Sequence, residues 1–185
     1  INKETNINPI WIMRQAGRYL PEFREIRSKN INFVELCLNY NLSSKITLQP
    51  LKRYNLDAAI IFSDILMIPY GLGQDVIFKK EIGPILSDFN IDIFLSNNEK
   101  SFIKNLTPVY NAIKKTKKNL DKSKSLISFI GAPWTLIVYM LGLKEHKNKI
   151  NLNKLKEKES DVSIILEVIN KYLCIHIENQ INAGA

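Results

Sequence analysis

The stretch from Asp57 to Asp64 constrains the fold of this chain more than any other. Its central residues, Ala58 to Phe62, are all apolar and do not alternate with polar residues. Strands with this pattern are buried on both faces, as they are in a parallel sheet covered by helices. The sequence therefore predicts a buried strand that ends in Ser63 and Asp64, with a carboxylate at its carboxyl end.

Two more segments predict buried strands: Pro9 to Met13, and Leu126 to Ile130, which runs directly into Gly131. A small hairpin outside the main sheet is expected from Val76–Phe78 and Ile85–Leu86. Helical spacing separates these strands in four places: Glu22 to Tyr40; from Ser43 or Ser44 onward, with a kink or break at Pro50; Asn98 to Lys118; and Leu152 to Asn182, as one helix or two.

This alternation of strands and helices predicts an α/β fold, either a barrel or a doubly wound sheet. The chain is long enough for one domain, and residues 1–185 show no internal linker or repeat. Each predicted strand ends in a distinctive motif: Arg14 to Arg18, Ser63–Asp64, and Gly131 to Trp134. In both architectures the carboxyl ends of the strands form the site, so the three motifs are expected to meet in one pocket.

Arginine is concentrated in the first of these motifs. The chain has five arginines against twenty-one lysines, and four of the five are Arg14, Arg18, Arg24 and Arg27. Guanidinium groups present planar, paired donors that match a carboxylate or a phosphate. We therefore expect an anion-binding loop here. Arg24 is interpreted instead as a solvated charge at a helix start. Asp64 has two alternative roles, to pair structurally with the arginines or to hold a cationic or N–H-rich ligand.

Composition argues against other classes of function. The net charge of +8 invites a nucleic-acid-binding interpretation, but the lysines are diffuse and densest between Lys100 and Lys124, a polar stretch typical of a solvated helix face. No apolar run reaches the length of a membrane span. Cys37 and Cys174 are both expected to be buried thiols, His146 a solvated side chain and His176 a core side chain. These residues make no metal-ligand spacing.

Four segments, in order, resemble the uroporphyrinogen decarboxylase family: Pro9 to Arg27, Thr47 to Tyr54, Leu56 to Leu66, and Gly131 to Leu136 with Tyr139–Met140. The resemblance covers essentially the whole chain. It departs from the family pattern at Glu81-Ile82-Gly83-Pro84, where the family usually shows Gly-Glu-Gly-Pro. That difference puts the conformation of the turn in question.

The resemblance implies an (α/β)8 TIM barrel about twice this length, of which the chain is an amino-terminal part with about the first three strands. It implies a cytoplasmic homodimer, or an organellar one, that uses no cofactor and no metal. Its reaction would remove CO2 from the four acetate side chains of uroporphyrinogen III, giving coproporphyrinogen III in haem biosynthesis. An open half barrel exposes strand edges, so we expect these residues alone to be aggregated or inactive.

The resemblance also implies roles for individual residues. Asp64 would lie at the centre of the ring and stabilise the transition state. The loop Arg14, Gln15, Ala16, Gly17 and Arg18 would bind substrate, with Arg14 or Arg18 holding an acetate or donating a proton. Further substrate contacts would come from Arg27, Phe33 and Tyr139. The alternatives are a zinc-dependent barrel methyltransferase of the corrinoid or methionine type, an inactive relic, and a basic nucleic-acid-binding domain.

Overall fold

A short parallel pair of strands forms the centre of the fold. The computed structural model describes residues 8–79, 81–144 and 149–185. Within them β1 (Ala58–Ile60) pairs in parallel with β4 (Ser125–Ile127), so that Ala59 faces Leu126 across the ladder. The Ile61 amide extends the ladder by donating to the Ile127 carbonyl at 2.9 Å. Two of the three predicted main strands are thereby confirmed as parallel partners.

Helices and a hairpin surround this pair. The elements are α1 (Pro21–Lys29), α2 (Phe33–Leu38), α3 (Tyr40–Arg53), α4 (Met67–Gly71), β2 (Val76–Lys79), β3 (Gly83–Leu86), α5 (Ile91–Ser96), α6 (Glu99–Asn119), α7 (Pro133–Met140), α8 (Leu152–Glu157) and α9 (Glu159–Asn182). The long helices α6 and α9 and the shorter α7 bury the main apolar core, which contains Phe102, Ile113, Leu136 and Ile169. None of the helices in the described residues is both long and apolar enough to cross a membrane.

The prediction of a first buried strand at Pro9 to Met13 is wrong. These residues form no strand, and the side chains from Ile10 to Met13 are exposed. Ile10 only exchanges two hydrogen bonds with Asp57, one to the Asp57 carboxylate at 2.6 Å and one from the Asp57 amide at 2.8 Å. Apolar content alone does not make a strand, because a ladder also needs a partner edge. The edge of β1 is occupied here by the side chain of Gln15.

Asparagine caps decide where the first helices begin. The predicted helix from Glu22 to Tyr40 is two helices, because the Asn32 side chain accepts hydrogen bonds from the amides that start α2. Asn39 caps α3 in the same way, so this helix begins at Tyr40 and not at Ser43 or Ser44 as predicted. Pro50 does not split α3, because this proline lies in the final turns of one continuous helix.

The other predicted elements are largely confirmed. Helix α6 runs unbroken through Pro108, and its start is fixed by a capping box between Asn98 and Ser101. The polar segment after β4 and α7 leads into two helices, α8 and α9. The short helices α4 and α5 were not predicted. Cys37 is buried as expected, but the prediction for Cys174 is wrong, because this thiol lies on the exposed face of α9.

The predicted hairpin is confirmed, with Val76 facing Leu86 and Phe78 facing Pro84 in antiparallel register. The conformation of its turn shows why a glycine suits the position at which this chain departs from the family pattern. Glu81 stands where the family has the first glycine, and it adopts a φ of 68°. This left-handed conformation is natural for glycine and costs a residue with a Cβ about 1 kcal/mol. Glu81 therefore adopts a strained conformation that a glycine at this position would adopt freely.

His176 is a core side chain, as predicted, whereas His146 lies outside the described residues. The His176 Nδ1 lies 2.9 Å from the Tyr110 hydroxyl, and the His176 Nε2 contacts the Gln180 amide nitrogen. That amide also donates to the Phe129 carbonyl at 3.3 Å, so the nitrogen of Gln180 faces His176 and the imidazole Nε2 accepts. His176 is therefore neutral and links α6, α9 and the segment after β4.

This network makes the fold sensitive to acid. Burial disfavours the charged imidazolium and lowers the pKa of His176 from 6.5 to about 4. The unfolded chain then binds more protons than the folded chain between these values, so the free energy of unfolding should fall by about 3 kcal/mol as the pH drops from 6.5 to 4. Urea unfolding of the protein from the complete reading frame, at several pH values, should show this dependence of the unfolding free energy on pH, and His176→Phe should lose it. Equal slopes in the two proteins would contradict it.

Candidate active site at the carboxyl ends of the strands

Asp64 lies just beyond the carboxyl end of β1, before the first turn of α4. It is half-buried, and its Oδ1 accepts a hydrogen bond from the Leu66 amide at 2.8 Å. Burial raises the pKa of this carboxyl, and the Leu66 hydrogen bond opposes the rise. The ion pairs among the described residues are Lys29–Glu25 and Arg53–Glu22, so the alternative role of Asp64 as a structural partner of the arginines is not what the geometry shows.

Helix α3 holds the backbone that leads into Asp64. The Ser43 hydroxyl donates to the Phe62 carbonyl at 2.6 Å, and the Phe62 amide donates to the Thr47 hydroxyl oxygen at 2.8 Å. Thr47 in turn donates to the Ser43 carbonyl at 2.8 Å. Sequence reasoning missed this clamp. Its only signal was a serine and a threonine four residues apart, on one face of a helix.

The motif after β4 packs directly against the Asp64 segment. A Cβ atom placed on Gly131 would lie 3.0 Å from the Ile65 Cβ and 2.8 Å from the Leu136 Cδ2. Only glycine permits this approach, so the two predicted strand-end motifs meet because Gly131 has no side chain. The structure thus brings together Ser63–Asp64 and the Gly131 motif, as the topology of a parallel sheet requires.

The arginine loop is attached to β1 through Gln15. This side chain is buried, and its amide donates to the Ala58 carbonyl at 2.6 Å and accepts from the Ile60 amide at 3.1 Å. It pairs with the strand edge as a neighbouring strand would. The Tyr19 hydroxyl donates to the Gln15 carbonyl and braces the loop from within. The loop is therefore a fixed structure beside the strand that leads to Asp64.

Arg14 and Arg18 are exposed on this loop, with their guanidinium groups free of ion pairs among the described residues. Arg24 has a different function from the one interpreted from the sequence. Its guanidinium donates to the Arg18 carbonyl at 2.7 Å and to the Tyr19 carbonyl at 3.3 Å. It is thus not only a solvated charge, since it fixes the backbone that presents Arg18.

Arg27 and Phe33 lie together near the end of β1. The Arg27 guanidinium donates to the carbonyls of Asn30 and Ile31 and lies 5.7 Å from the centroid of the Phe33 ring. Phe33 packs edge-on against Phe62, with ring centroids 5.6 Å apart. These contacts place Phe33 against the residue that precedes Ser63–Asp64, with Arg27 over the Phe33 ring.

The buried thiol of Cys37 is affected by the charges of both Asp64 and Arg27. Burial raises the pKa of Cys37, the Asp64 charge raises it further and the Arg27 charge lowers it. The thiol therefore lies within electrostatic range of both residues. It stays protonated and is part of the buried apolar core.

Tyr139 is half-buried on α7 in an open cleft with a volume of about 610 Å³. The Lys144 ammonium lies 5.6 Å from the centroid of its ring. Among the described residues the Asp64 side chain accepts from the Leu66 amide, and no hydrogen bond joins it to Tyr139. The cleft lies between the hairpin, α7 and α8.

The described arrangement is that of an α/β protein with a carboxylate just beyond the end of a strand and an arginine loop fixed to the edge of that strand. The model of the uroporphyrinogen decarboxylase family matches residues 2–185, so the chain belongs to that family. Both the predicted family and the predicted fold class, part of an (α/β)8 barrel, are confirmed. The structure adds that the first predicted strand is not formed in the described residues.

Relatives named uroporphyrinogen decarboxylase agree with this assignment. The protein from Rickettsia felis is 43% identical over 191 residues, covering 100% of this chain and 54% of the relative. The protein from Rickettsia bellii is 41% identical, again with 100% of this chain and 55% of the relative. The chain thus spans about half the length of the curated relatives that it matches.

A solved structure described as a methyltransferase from Methanosarcina mazei is similar in fold. The TM-score is 0.66 at 14% sequence identity, and the match covers 87% of this chain and 48% of that structure. At this identity the likeness supports the fold alone.

The close packing at Gly131 gives a test of how the two motifs meet. We expect Gly131→Ala to lower the free energy of unfolding by about 1–3 kcal/mol, because the new methyl group overlaps Ile65 and Leu136. Gly17→Ala is the matched control, since its Cβ would meet only the Tyr19 ring at 3.5 Å. Urea unfolding measures both changes. If both variants lose the same unfolding free energy, overlap with Ile65 and Leu136 is not the cause of the loss.

The raised pKa of Asp64 predicts that its charge opposes folding. Asp64→Asn should raise the Tm at pH 7 to 8, because the amide oxygen can still accept from Leu66 without the cost of burying a charge. The gain should shrink as the pH falls towards the ordinary value of 3.8, where the carboxyl is protonated with or without folding. Thermal melts of the protein from the complete reading frame measure this. Asp57→Asn, at the exposed start of β1, should show no such gain.

Proposed function

We propose that the complete protein containing this chain is a uroporphyrinogen decarboxylase. It removes CO2 from the four acetate side chains of uroporphyrinogen III and gives coproporphyrinogen III. One observation carries the proposal within the family: Asp64 is half-buried just beyond the end of β1, without an ion-pair partner among the described residues, and a loop with two exposed arginines is fixed to the edge of the same strand. The segment around β1 thus combines one half-buried carboxylate with two exposed guanidinium groups.

The substrate has the complementary arrangement. It is a ring of four pyrroles with inward N–H groups and eight carboxylates around its edge. The guanidinium groups of Arg14 and Arg18 match those carboxylates in a bidentate way. The Asp64 carboxylate matches the N–H groups at the centre. Binding places a positively polarised group beside Asp64, which lowers the pKa of this carboxyl again and favours its ionised form.

The chemistry follows from this placement. A proton added to a pyrrole ring carbon makes the ring a cationic electron sink. The bond between the acetate methylene and its carboxylate then breaks, CO2 leaves, and the electron pair passes into the ring. A second proton at the exocyclic carbon gives the methyl group, and the ring carbon then releases the first proton, which restores the pyrrole. The ionised Asp64 stabilises the cation that precedes the loss of CO2.

The arginine loop binds and orients the substrate in this scheme. A guanidinium gives up its proton with difficulty, so Arg14 and Arg18 are better suited to hold acetate than to supply the proton. Gln15 positions the loop through β1, while Ala16 and Gly17 form its backbone. Arg27 and Phe33 contribute a cationic edge and an apolar wall next to the strand end.

The family resemblance extends the proposal to the whole protein. Residues 1–185 would form the amino-terminal part of a single barrel domain. We propose a homodimer that acts in the cytoplasm without a cofactor.

The decisive experiment measures CO2 release from uroporphyrinogen III by the protein from the complete reading frame. Asp64→Asn should lower kcat by at least about 100-fold, because it removes the charge that stabilises the cation. Asp57→Asn is the matched control, since it changes an aspartate at the opposite end of the same strand and should keep full activity. Unchanged turnover in Asp64→Asn would refute the role of this residue, and an inactive parent protein would refute the function.

A further inference from the structure

The cleft that contains Tyr139 lies between β3, α7 and α8, and no residue of the arginine loop lines it. We call it the lysine cleft and define it by Phe89, Tyr139, Lys144, Lys154 and Lys158, all of which line it. Its volume is about 610 Å³, which is large enough for a ligand of many atoms. The sequence motifs did not single it out, apart from Tyr139.

The walls of the lysine cleft are held together from beneath by Gln74. This side chain is buried, and its amide nitrogen donates to the Ser87 carbonyl at 2.7 Å and to the Met140 carbonyl at 2.9 Å. Ser87 and Met140 both line the cleft, one from the hairpin side and one from α7. The Gln74 amide oxygen is buried and has no partner in the described part of the chain. The recess is thus a fixed feature and not a gap between loose surfaces.

Three ammonium groups converge on this cleft. Lys154 and Lys158 are one turn apart on the same side of the chain and are half-buried, whereas the intervening Lys156 is exposed. The Lys154 ammonium lies 3.3 Å from the Gly142 carbonyl, and the Lys144 ammonium lies over the Tyr139 ring. Asp88 is the one carboxylate among the described residues that line it. The lining therefore carries a net positive charge.

The remaining lining is apolar. Phe89, Val138, Tyr139 and Leu141 come together with the hairpin residues Ile85 and Leu86. An apolar floor with cationic edges fits a broad, flat molecule whose rim carries several carboxylates. It fits a simple inorganic anion poorly, because such an ion gains nothing from the aromatic and aliphatic surface.

We propose that the lysine cleft binds the peripheral carboxylates of a polycarboxylated tetrapyrrole, with Lys154 and Lys158 as the principal contacts. This inference rests on the proposed function and adds recognition residues that the arginine loop does not supply. Tyr139 lines the cleft with its ring, where it offers both an apolar face and a hydroxyl to the ligand. The lysines contribute affinity and take no part in bond breaking.

The chain contains a suitable control surface. Lys45 and Lys52 line a shallower recess of about 380 Å³ between α3 and α6. Both are exposed, and the neighbouring Lys115 donates to the Asn41 side chain. The double variant Lys45→Gln/Lys52→Gln therefore removes the same charge as Lys154→Gln/Lys158→Gln at a place without an aromatic floor.

The test measures binding of uroporphyrin III, the fluorescent oxidised octacarboxylate, to the protein from the complete reading frame. Lys154→Gln/Lys158→Gln should weaken the Kd about five-fold, as expected for the loss of two partly solvated charge contacts. It should raise the KM for uroporphyrinogen III by a similar factor and leave kcat unchanged. The control double variant should change both values less than two-fold. Lys158→Gln alone, whose ammonium donates to no group in the described residues, covers the case in which the double variant fails to fold.

Each other outcome overturns the proposal. Equal weakening in both double variants would mean diffuse attraction by the net charge, and no weakening in either would mean an unused cleft. If millimolar inorganic phosphate displaces the porphyrin only from a protein with Lys154 and Lys158 intact, the cleft is a simple anion site.

The porphyrin titration also separates this proposal from the proposed function. A protein that binds uroporphyrin III through these lysines but releases no CO2 would retain the cleft and lose the decarboxylase assignment. If the protein releases CO2 but the lysine variants bind uroporphyrin III with an unchanged Kd, the decarboxylase assignment stands and the proposed role of the lysine cleft fails.

Discussion

The side-chain amide of Gln15 is the interaction on which the site depends most. It pairs with the edge of β1 through two hydrogen bonds, to Ala58 and from Ile60, and so takes the place of backbone from a neighbouring strand. The bonds are buried, where the loss of either partner leaves a costly unsatisfied group. Through this one side chain the arginine loop is tied to the strand that leads to Asp64. The loop can thus be rigid although the segment before it forms no strand.

Sequence reasoning succeeded where burial alone determines structure, as in the apolar run that became β1 and the segment that became β4. It failed where a specific polar contact decides. The first helices begin where Asn32 and Asn39 cap them, and apolar spacing does not reveal a cap. In the site, the motif positions of Asp64 and Gly131 could be predicted from topology. The clamp by Ser43 and Thr47 could not, because its hydrogen bonds depend on which helix face meets the strand.

Asp64 shows how the fold accommodates a residue that does not favour it. The carboxyl is half-buried, lacks an ion-pair partner among the described residues and has a raised pKa, so its charge opposes folding. Its neighbours compensate through the Leu66 amide, the clamp on Phe62 and the packing at Gly131. A charge kept short of partners in the free protein remains available to a ligand that supplies them. The Asp64 carboxylate therefore lowers the stability of the fold and, in the proposed reaction, stabilises the cation that precedes the loss of CO2.

The contacts of the site and of the core differ in how far apart their partners lie along the chain. The clamp on Phe62 joins residues 19 and 15 positions apart. Gln15 reaches across 43 positions to Ala58, and His176 across 66 to Tyr110. Closing a longer loop costs more chain entropy and takes longer. The order of assembly that follows places α3 against β1 first, then adds the arginine loop, and packs α9 against α6 last. On a ribosome, the segment that leads into Asp64 would be packed against α3 well before the last residues of α9 were synthesised.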